Sequence, residues 1–174
     1  MAADDAGFRD YIGSRIDPLR RTAFALCGDW HTADDLVSTT IVKTYRAWRR
    51  ISAMSNVDAY VRRVLVTAWL DEKRRPWRRE RPSAVLPDTF RPAEDRAIVD
   101  RLAILGHLAA LPARRRAVIV LRYYDDLSVE ETAVVLGCSA GTVKSQTARA
   151  LETLRHALVG VAESGSEGSG HGTD

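Results

Sequence analysis

The chain has 174 residues, of which 45% are hydrophobic and 28% charged, enough for one medium domain or two small helical ones. Its only cysteines, Cys27 and Cys138, lie far apart, which excludes a disulfide framework, and no apolar run approaches the roughly 18 residues of a membrane-spanning helix. The net charge is only +3, but residues 73–81 are strongly basic, and such a segment favours a polyanionic partner.

These features predict a cytoplasmic protein that holds no cofactor. The N-terminal segment is acidic and lacks an apolar run, so we expect no signal peptide. We expect both cysteines to be free thiols in a reducing compartment. Cys27 and His31 have a spacing found in metal sites, but no second pair of ligands lies near them, which disfavours zinc.

Apolar residues recur at helical spacing along nearly the whole chain, and no segment reads convincingly as a strand. Phe8 and Ile12 predict a first helix. Asp17 and Pro18 predict the start of a second helix, because Asp is a favoured N-cap and Pro a favoured first residue. Gly28 is predicted to end that helix. The sequence therefore predicts an all-α fold.

A further helix is predicted to begin with Thr32 as its N-cap, with Asp34 and Asp35 in the first turn, where the helix dipole favours anions. The polar residues 52–56 interrupt the pattern, and the next helix is predicted over about residues 58–75. The expected core stripe of this helix consists of Tyr60, Val61, Val64, Leu65, Ala68 and Trp69.

Aromatic and basic residues alternate through this N-terminal half. Tyr45, Trp48 and Tyr60 share the segment with arginines at positions 46, 49, 50, 62 and 63. Such interleaving suits single-stranded nucleic acid, because bases stack on aromatic rings while phosphates meet cations. Two simpler interpretations remain open: Trp48, Tyr60 and Trp69 are core residues of a small bundle, and the arginines form a solvated basic face.

Four prolines between residues 76 and 92 recur at intervals through which a helix cannot continue, so residues 77–93 are predicted to form a linker. The linker separates one helical domain at residues 7–76 from a second at residues 94–160. The second domain is predicted to contain a helix through residues 98–108 and another that starts at Leu111 and Pro112. The Gly/Ser-rich residues 161–174 are predicted to be disordered.

The second domain carries the signals of a helix-turn-helix. Ser128 and Glu131 form the sequence pattern of a capping box, and Gly137 supplies the positive φ of a helix C-terminus. Ser139 is predicted to cap the next helix. The inward ladder of that helix is Val143, Thr147, Ala150, Leu151, Leu154 and Leu158. Two helices joined by so short a turn are typical of a helix-turn-helix.

The second helix of such a motif enters the major groove of DNA by its N-terminal turns. Lys and Arg reach phosphates or guanine edges, and Gln pairs with adenine. Gly141 lies in the first turn, where a missing side chain permits close approach to the DNA backbone. The alternative is an ordinary helix pair with a solvated polar face. The residues off the ladder, predicted to face DNA, are Thr142, Lys144, Ser145, Gln146 and Arg149.

Together these motifs resemble an RNA polymerase sigma factor of the extracytoplasmic-function type, in the sigma-70 family, close to the SigE-like subfamily of actinobacteria. The resemblance covers about residues 7–158, and the order of its motifs is specific. The matching segments are residues 28–37 (GDWHTADDLV), 45–51 (YRAWRRI), 58–66 (DAYVRRVLV), 111–128 (LPARRRAVIVLRYYDDLS) and 136–155 (LGCSAGTVKSQTARALETLR).

The resemblance implies that residues 7–76 form sigma domain 2, which contacts core RNA polymerase and the −10 promoter element. Asp34, Asp35 and Leu36 would dock on the clamp helices of the polymerase's largest subunit, beside positions 38 and 39, where Ser and Thr replace the Gln and Glu of many relatives. In the family a loop captures a flipped base, and neighbouring residues support the melted non-template strand. The matching residues here are Trp48, Ser52, Met54, Ser55, Asn56, Arg62 and Arg63.

The resemblance also implies that residues 94–160 form sigma domain 4, which contacts the flap of the polymerase's second-largest subunit and reads the −35 duplex. Relatives are often held by an anti-sigma factor, which makes one an expected partner. On this interpretation the protein is not an enzyme. The alternative is a stand-alone helix-turn-helix transcriptional regulator. The residues that would read the −35 element are Ser139, Gly141, Thr142, Lys144, Ser145, Gln146 and Arg149.

Overall fold

Two groups of helices make up the described part of the molecule, which in this computed structural model is residues 2–74 and 106–164, with side chains for 5–74 and 106–157. The first group is α1 (Ala2–Cys27), α2 (Trp30–Ile51) and α3 (Val57–Arg74). The second is α4 (Ala113–Ile119), a π-helical turn (Val120–Tyr124), α5 (Val129–Leu136) and α6 (Ala140–Ser164). These residues contain no strand, which confirms the predicted all-α fold.

Several predictions concern residues beyond that part of the chain. The linker at residues 77–93, most of the helix predicted through residues 98–108 and residues 165–174 of the tail all lie outside the described residues. Residues 161–164 were predicted to be disordered with that tail, which is wrong, because they belong to the last helix. Among the described helices, none combines the length and apolar character that crossing a membrane requires.

α1 is continuous through Pro18, so the predicted helix start at Asp17 and Pro18 is wrong. Proline inside a helix removes one backbone donor and disturbs the preceding turn. Here the apolar residues on both sides of it are held by packing against α2 and α3, with Phe8 and Leu26 both buried. This packing outweighs the local signal of an Asp-Pro pair. The predicted end of the helix at Gly28 is confirmed by its φ of 76° and its N–H bond to Phe24 O at 2.7 Å.

α2 is capped by Asp29, so the predicted N-cap at Thr32 is wrong. The Asp29 carboxylate accepts hydrogen bonds from the Thr32 N–H at 2.8 Å and from the Thr32 hydroxyl at 2.7 Å. Those bonds hold the pKa of Asp29 below its usual range, the backbone N–H of Thr32 contributing most. Thr32 is thus the third helical residue, which completes the cap instead of forming it.

The core is continuous between the two groups of helices. Trp69 and Leu65 from α3 and Leu121 from the π-helical turn are fully buried in one cluster that both groups share. Trp48 is 8% exposed in a second cluster, with Phe8 and Ile51. The structure therefore favours the interpretation that Trp48 and Trp69 are core residues of the bundle over the interpretation that they stack on nucleic acid. Tyr60 is half-buried against both clusters.

The helix-turn-helix forms as its local signals predict. The Ser128 hydroxyl accepts from the Glu131 N–H at 3.1 Å, and Glu131 accepts from the Ser128 N–H at 2.7 Å, which confirms the capping box. Gly137 has a φ of 62°. The predicted ladder of α6 is wrong at Leu151, which is 37% exposed, because the adjacent Ala150 takes the inward position and leaves Leu151 at the rim. Leu158 of that ladder lies outside the residues with described side chains.

Candidate nucleic-acid interface

The N-terminus of α6 is fixed by Ser139. Its hydroxyl accepts from the Thr142 N–H at 3.1 Å and is 2.9 Å from the Thr142 hydroxyl, and Ser145 donates to Thr142 O at 3.0 Å. A Cβ added at Gly141 would meet only the Ser139 hydroxyl, at 3.8 Å, so the first turn presents a bare backbone. The cap therefore leaves the first-turn surface rigid and open.

One face of α6 is buried, and two cations lie on the helix outside that face. Val143 and Ala150 are fully buried, while Lys144 and Arg149 are exposed. Within the described residues neither cation has a partner carboxylate. An exposed, unpaired cation on a fixed helix is available to a phosphate or a base edge. Of the other residues predicted to face DNA, Ser139, Gly141, Thr142 and Ser145 are exposed and Gln146 is half-buried.

Residues 52–56 form an exposed loop between α2 and α3. The Asn56 side-chain oxygen accepts from the Ala59 N–H at 2.9 Å and so caps α3. The side chain of Met54 is 45% exposed, and Ser52 and Ser55 are exposed as well. This loop can therefore offer hydroxyls, one amide NH₂ group and a thioether to a base.

A partly buried network of hydrogen bonds anchors the end of this loop to α1. Tyr11 donates to Asp58 Oδ1 at 2.7 Å, and Arg15 reaches both oxygens of the same carboxylate at 3.0 Å. Partial burial raises the pKa of Asp58, but the hydrogen bonds from Tyr11 and Arg15 outweigh it and hold the pKa below its usual range. The carboxylate is thus ionised at neutral pH and fixes the direction in which α3 begins.

Trp48 does not stand beside the loop as a free stacking platform. Its ring meets Phe8 in a T-shaped contact at 5.4 Å and Tyr11 in a tilted contact at 5.2 Å. With 8% of its surface exposed, the residue is a packing element beneath the loop. Sequence alone could not separate the two roles, because a tryptophan at helical spacing suits either.

Arg62 and Arg63 face the second group of helices. Arg62 Nε lies 3.4 Å from Asp125 Oδ2, beyond the π-helical turn. The guanidinium of Arg63 lies against Gly137, 3.3 Å from the position that a Cβ would take there. Both cations therefore lie where the helix-turn-helix meets α3.

Asp34 and Asp35 lie in the second turn of α2, which begins at Trp30, so their predicted place in the first turn is wrong. Their acidic surface is only partly available to a partner. Asp34 is bound by Arg20 through two hydrogen bonds, at 2.6 and 3.1 Å, and the stronger contact lowers the pKa of Asp34. Leu36 is 4% exposed, so its side chain belongs to the core. Asp35 is exposed and lines a surface cavity of about 250 Å³ together with Thr39 and Lys43.

The family is decided by comparison with known proteins. Residues 12–79 match the family model for Sigma-70 region 2, and residues 101–154 match the model for Sigma-70, region 4. An RNA polymerase sigma-E factor of Streptomyces avermitilis is 39% identical over 151 residues, which cover 87% of this chain and 84% of that protein. The chain belongs to the extracytoplasmic-function sigma factors of the sigma-70 family.

Further relatives place the sigma factor in the same class. The ECF RNA polymerase sigma factor SigL of Mycobacterium tuberculosis is 33% identical over 165 residues, covering 90% of this chain and 92% of that one. The solved structure of the sigma factor RpoE of Bartonella quintana, in complex with the anti-sigma factor NepR, matches this chain with a TM-score of 0.67 at 25% identity. The match covers 86% of this chain and 97% of that one. The protein is a promoter-recognising subunit for RNA polymerase.

Two features of this sigma factor had no signal in its sequence. Asp125 follows the π-helical turn and lies 103 residues from Thr22, whose hydroxyl donates to it at 2.7 Å. Arg116 is 9% exposed and donates to Leu26 O at 2.9 Å across the same boundary. Polar residues of this kind are indistinguishable from surface residues until the packing of the two groups is known.

Proposed function

We propose that the sigma factor reads the −35 element with the N-terminal turns of α6 and the −10 element with the loop at residues 52–56, while α2 binds core polymerase. The observation that carries this proposal is the presence of both regions in one chain, each with a prepared polar surface. One surface is the capped helix end at Ser139, and the other is the anchored loop at Asn56.

The −35 assignment rests on exposure and charge. Lys144 and Arg149 are exposed on a helix of which another face is buried, and the bare turn at Gly141 permits the backbone to approach phosphates. A helix end of this shape fits the major groove, where base edges carry a unique pattern of donors and acceptors. Gln146 would read an adenine from its half-buried position.

The −10 assignment rests on the exposed loop. A base extruded from the duplex loses a few kcal/mol of stacking and pairing, which a pocket must offset by hydrogen bonds and contacts. Ser52, Ser55 and Asn56 supply the polar groups and Met54 the apolar one. Asp58 holds the loop against α1, which lowers the conformational cost of capture.

The polymerase contact is proposed at the exposed acidic surface of α2. Asp35 and the neighbouring cavity are accessible, whereas Leu36 supports this surface from the core. Asp34 would contribute its charge only if its pair with Arg20 opened or was shared. The clamp helices of the largest subunit would bind here, and domain 4 would meet the flap of the second-largest subunit.

Regulation by an anti-sigma factor in the cytoplasm is part of the proposal. It is supported by the likeness to the solved RpoE, which is held in complex with the anti-sigma factor NepR. The protein itself would carry out no bond chemistry, because its surfaces offer recognition groups and the reaction belongs to the polymerase.

Run-off transcription with purified core polymerase tests the proposal. Promoter-dependent transcripts should appear only when the sigma factor is added, and Asp35→Ala should weaken its binding to core. Asp10→Ala, an exposed carboxylate on α1, is the matched control. A stand-alone regulator would instead bind duplex DNA tightly without polymerase and would be indifferent to Asp35→Ala.

A further inference from the structure

One side chain of α1 contacts both ends of the loop at residues 52–56. The Tyr11 ring packs on Trp48 at 5.2 Å, and the Trp48 carbonyl accepts the Ser52 N–H at 2.8 Å, where α2 ends. The Tyr11 hydroxyl donates to Asp58 Oδ1 at 2.7 Å, in the first turn of α3. Tyr11 therefore joins the last turn of α2 to the first turn of α3 across the base of the loop.

Arg15, one turn farther along α1, holds the same carboxylate from a second direction. Its Nε donates to Asp58 Oδ1 at 3.0 Å, and its Nη2 lies 3.0 Å from Asp58 Oδ2. A guanidinium that meets both oxygens of a carboxylate fixes the plane of that carboxylate. Because the Arg15 side chain is 46% exposed, the pair adds little to the stability of the fold, and its effect is on geometry.

The loop depends on its two ends for its shape. Residues 52–56 are all exposed. The Met54 N–H donates to Ile51 O at 2.9 Å, and the Asn56 side chain accepts from the Ala59 N–H at 2.9 Å. Local bonds of this kind set how each helix begins or ends, but not how the two helix ends are oriented relative to each other. The contacts from α1 act on that orientation.

The orientation of the helix ends matters for a loop that receives a base. A pocket loses less conformational entropy on binding when its groups are held in place before the ligand arrives. The polar groups of the proposed pocket are the hydroxyls of Ser52 and Ser55 and the amide of Asn56. A change in the angle between α2 and α3 would move these groups relative to one another, so that the loop would accept several bases about equally.

We propose that Tyr11 and Arg15 are positioning residues for −10 recognition, which contact no base and set the base preference of the loop through Asp58. This role rests on the proposed function, because it assumes that residues 52–56 receive a promoter base. It extends the determinants of −10 specificity to α1, a helix on which the sequence predicted no DNA-contacting residue.

Transcription by core polymerase with the full-length sigma factor tests this role. The templates are a promoter mapped by run-off transcription and its single-base variants at each −10 position. Tyr11→Phe removes the hydroxyl and keeps the ring on Trp48, whereas Arg15→Lys keeps the charge and loses the planar pair. At the position of the captured base, both should lower several-fold the ratio of transcription from the best base to the mean of the others. Tyr123→Phe and Arg21→Lys, at exposed positions outside the network, are the matched controls and should keep the wild-type ratio.

This ratio separates positioning from a general structural role. A loss of stability or of polymerase binding lowers transcription from all templates alike, and so does the loss of a phosphate contact by Arg15. A wild-type ratio in both Tyr11→Phe and Arg15→Lys, with or without a uniform loss of transcription, would overturn the positioning role and leave the proposed function standing. A wild-type protein without any −10 base preference would instead overturn the proposed −10 assignment, and the positioning role with it.

A double-mutant cycle tests the route through the carboxylate. Asp58→Asn should lower the same ratio, because an amide accepts through one oxygen only and carries no charge for Arg15. If Tyr11 acts through Asp58, adding Tyr11→Phe to Asp58→Asn should lower the ratio no further. Independent, additive effects of the two substitutions would overturn the positioning role, because Tyr11 would then act by another route.

Discussion

Asn56 caps α3 through its side-chain oxygen, which accepts the Ala59 N–H at 2.9 Å, and so the residue proposed to meet a promoter base also supports a helix. The two roles use different atoms. The oxygen faces the helix N-terminus, and the amide NH₂ remains for a base edge. Substitutions that keep one atom and change the other can separate them.

Asn56→Asp should retain the cap, because Asp is as good an N-cap as Asn, and should alter base preference at the −10 element by replacing a donor with an acceptor. Asn56→Ala should lower the free energy of unfolding by about 1 kcal/mol as well. Urea unfolding and run-off transcription on −10 variants measure the two effects. An Asn56→Asp protein with native base preference would contradict the base contact.

The Asp29 cap predicts a pH-dependent stability. Asp29→Ala should lower the free energy of unfolding by about 1 kcal/mol at neutral pH. Because the folded-state pKa of Asp29 is depressed, this contribution is full above its unfolded pKa of about 3.9 and is lost as the pH falls through the folded pKa. The difference between wild type and Asp29→Ala should therefore shrink in acid.

Asn at the same position is the control for charge. Asp29→Asn keeps a capping oxygen that does not titrate, so its stability relative to Asp29→Ala should stay constant in the same acid series. Unfolding followed by circular dichroism at several pH values gives both comparisons. A pH-independent difference between wild type and Asp29→Ala would contradict the role of the carboxylate.

Features set by neighbouring residues were predictable from the sequence. The capping box of Ser128 and Glu131 and the positive φ of Gly137 depend on atoms a few residues apart, so their patterns predicted them correctly. The predicted helix start at Pro18 and the predicted cap at Thr32 were wrong, each for its own reason. Tertiary packing kept α1 continuous through its proline, and Asp29 was an equally good cap three residues earlier.

Features set by the packing of distant segments were not predictable. The sequence predicted Arg62 as a contact of the melted strand, but it did not show its partner Asp125, which lies beyond the proline-rich segment and belongs to the other family region. Trp48 suited both a stacking platform and a core position, and only its contacts with Phe8 and Tyr11 separate the two. Periodicity shows which residues share a face, not what covers that face.

The two glycines of the helix-turn-helix should respond oppositely to alanine. Gly137→Ala should lower the free energy of unfolding by about 1–2 kcal/mol, because the φ of 62° at this position disfavours a Cβ. The added Cβ would also lie 3.3 Å from the Arg63 side chain. Gly141→Ala should raise the free energy of unfolding by about 1 kcal/mol, because Ala has the higher helix propensity. The same substitution should weaken binding to the −35 duplex. Thermal unfolding and duplex binding measure these effects. Unchanged −35 affinity of Gly141→Ala would refute the close approach.

Alanine substitution of Lys144 or Arg149 should weaken binding to the −35 duplex, whereas substitution of a cation farther along the same helix should not. Lys144→Ala and Arg149→Ala should each weaken holoenzyme binding to a −35 duplex by about 1–3 kcal/mol and relax sequence preference where the contact is to a base edge. A phosphate contact would instead weaken all sequences alike and reduce the salt slope by about 1. Arg155 is an exposed cation farther along α6, and Arg155→Ala is the control. It should change neither the affinity for the −35 duplex nor the salt slope. Equal losses in all three variants would show that charge alone, not the N-terminal face of α6, binds the promoter.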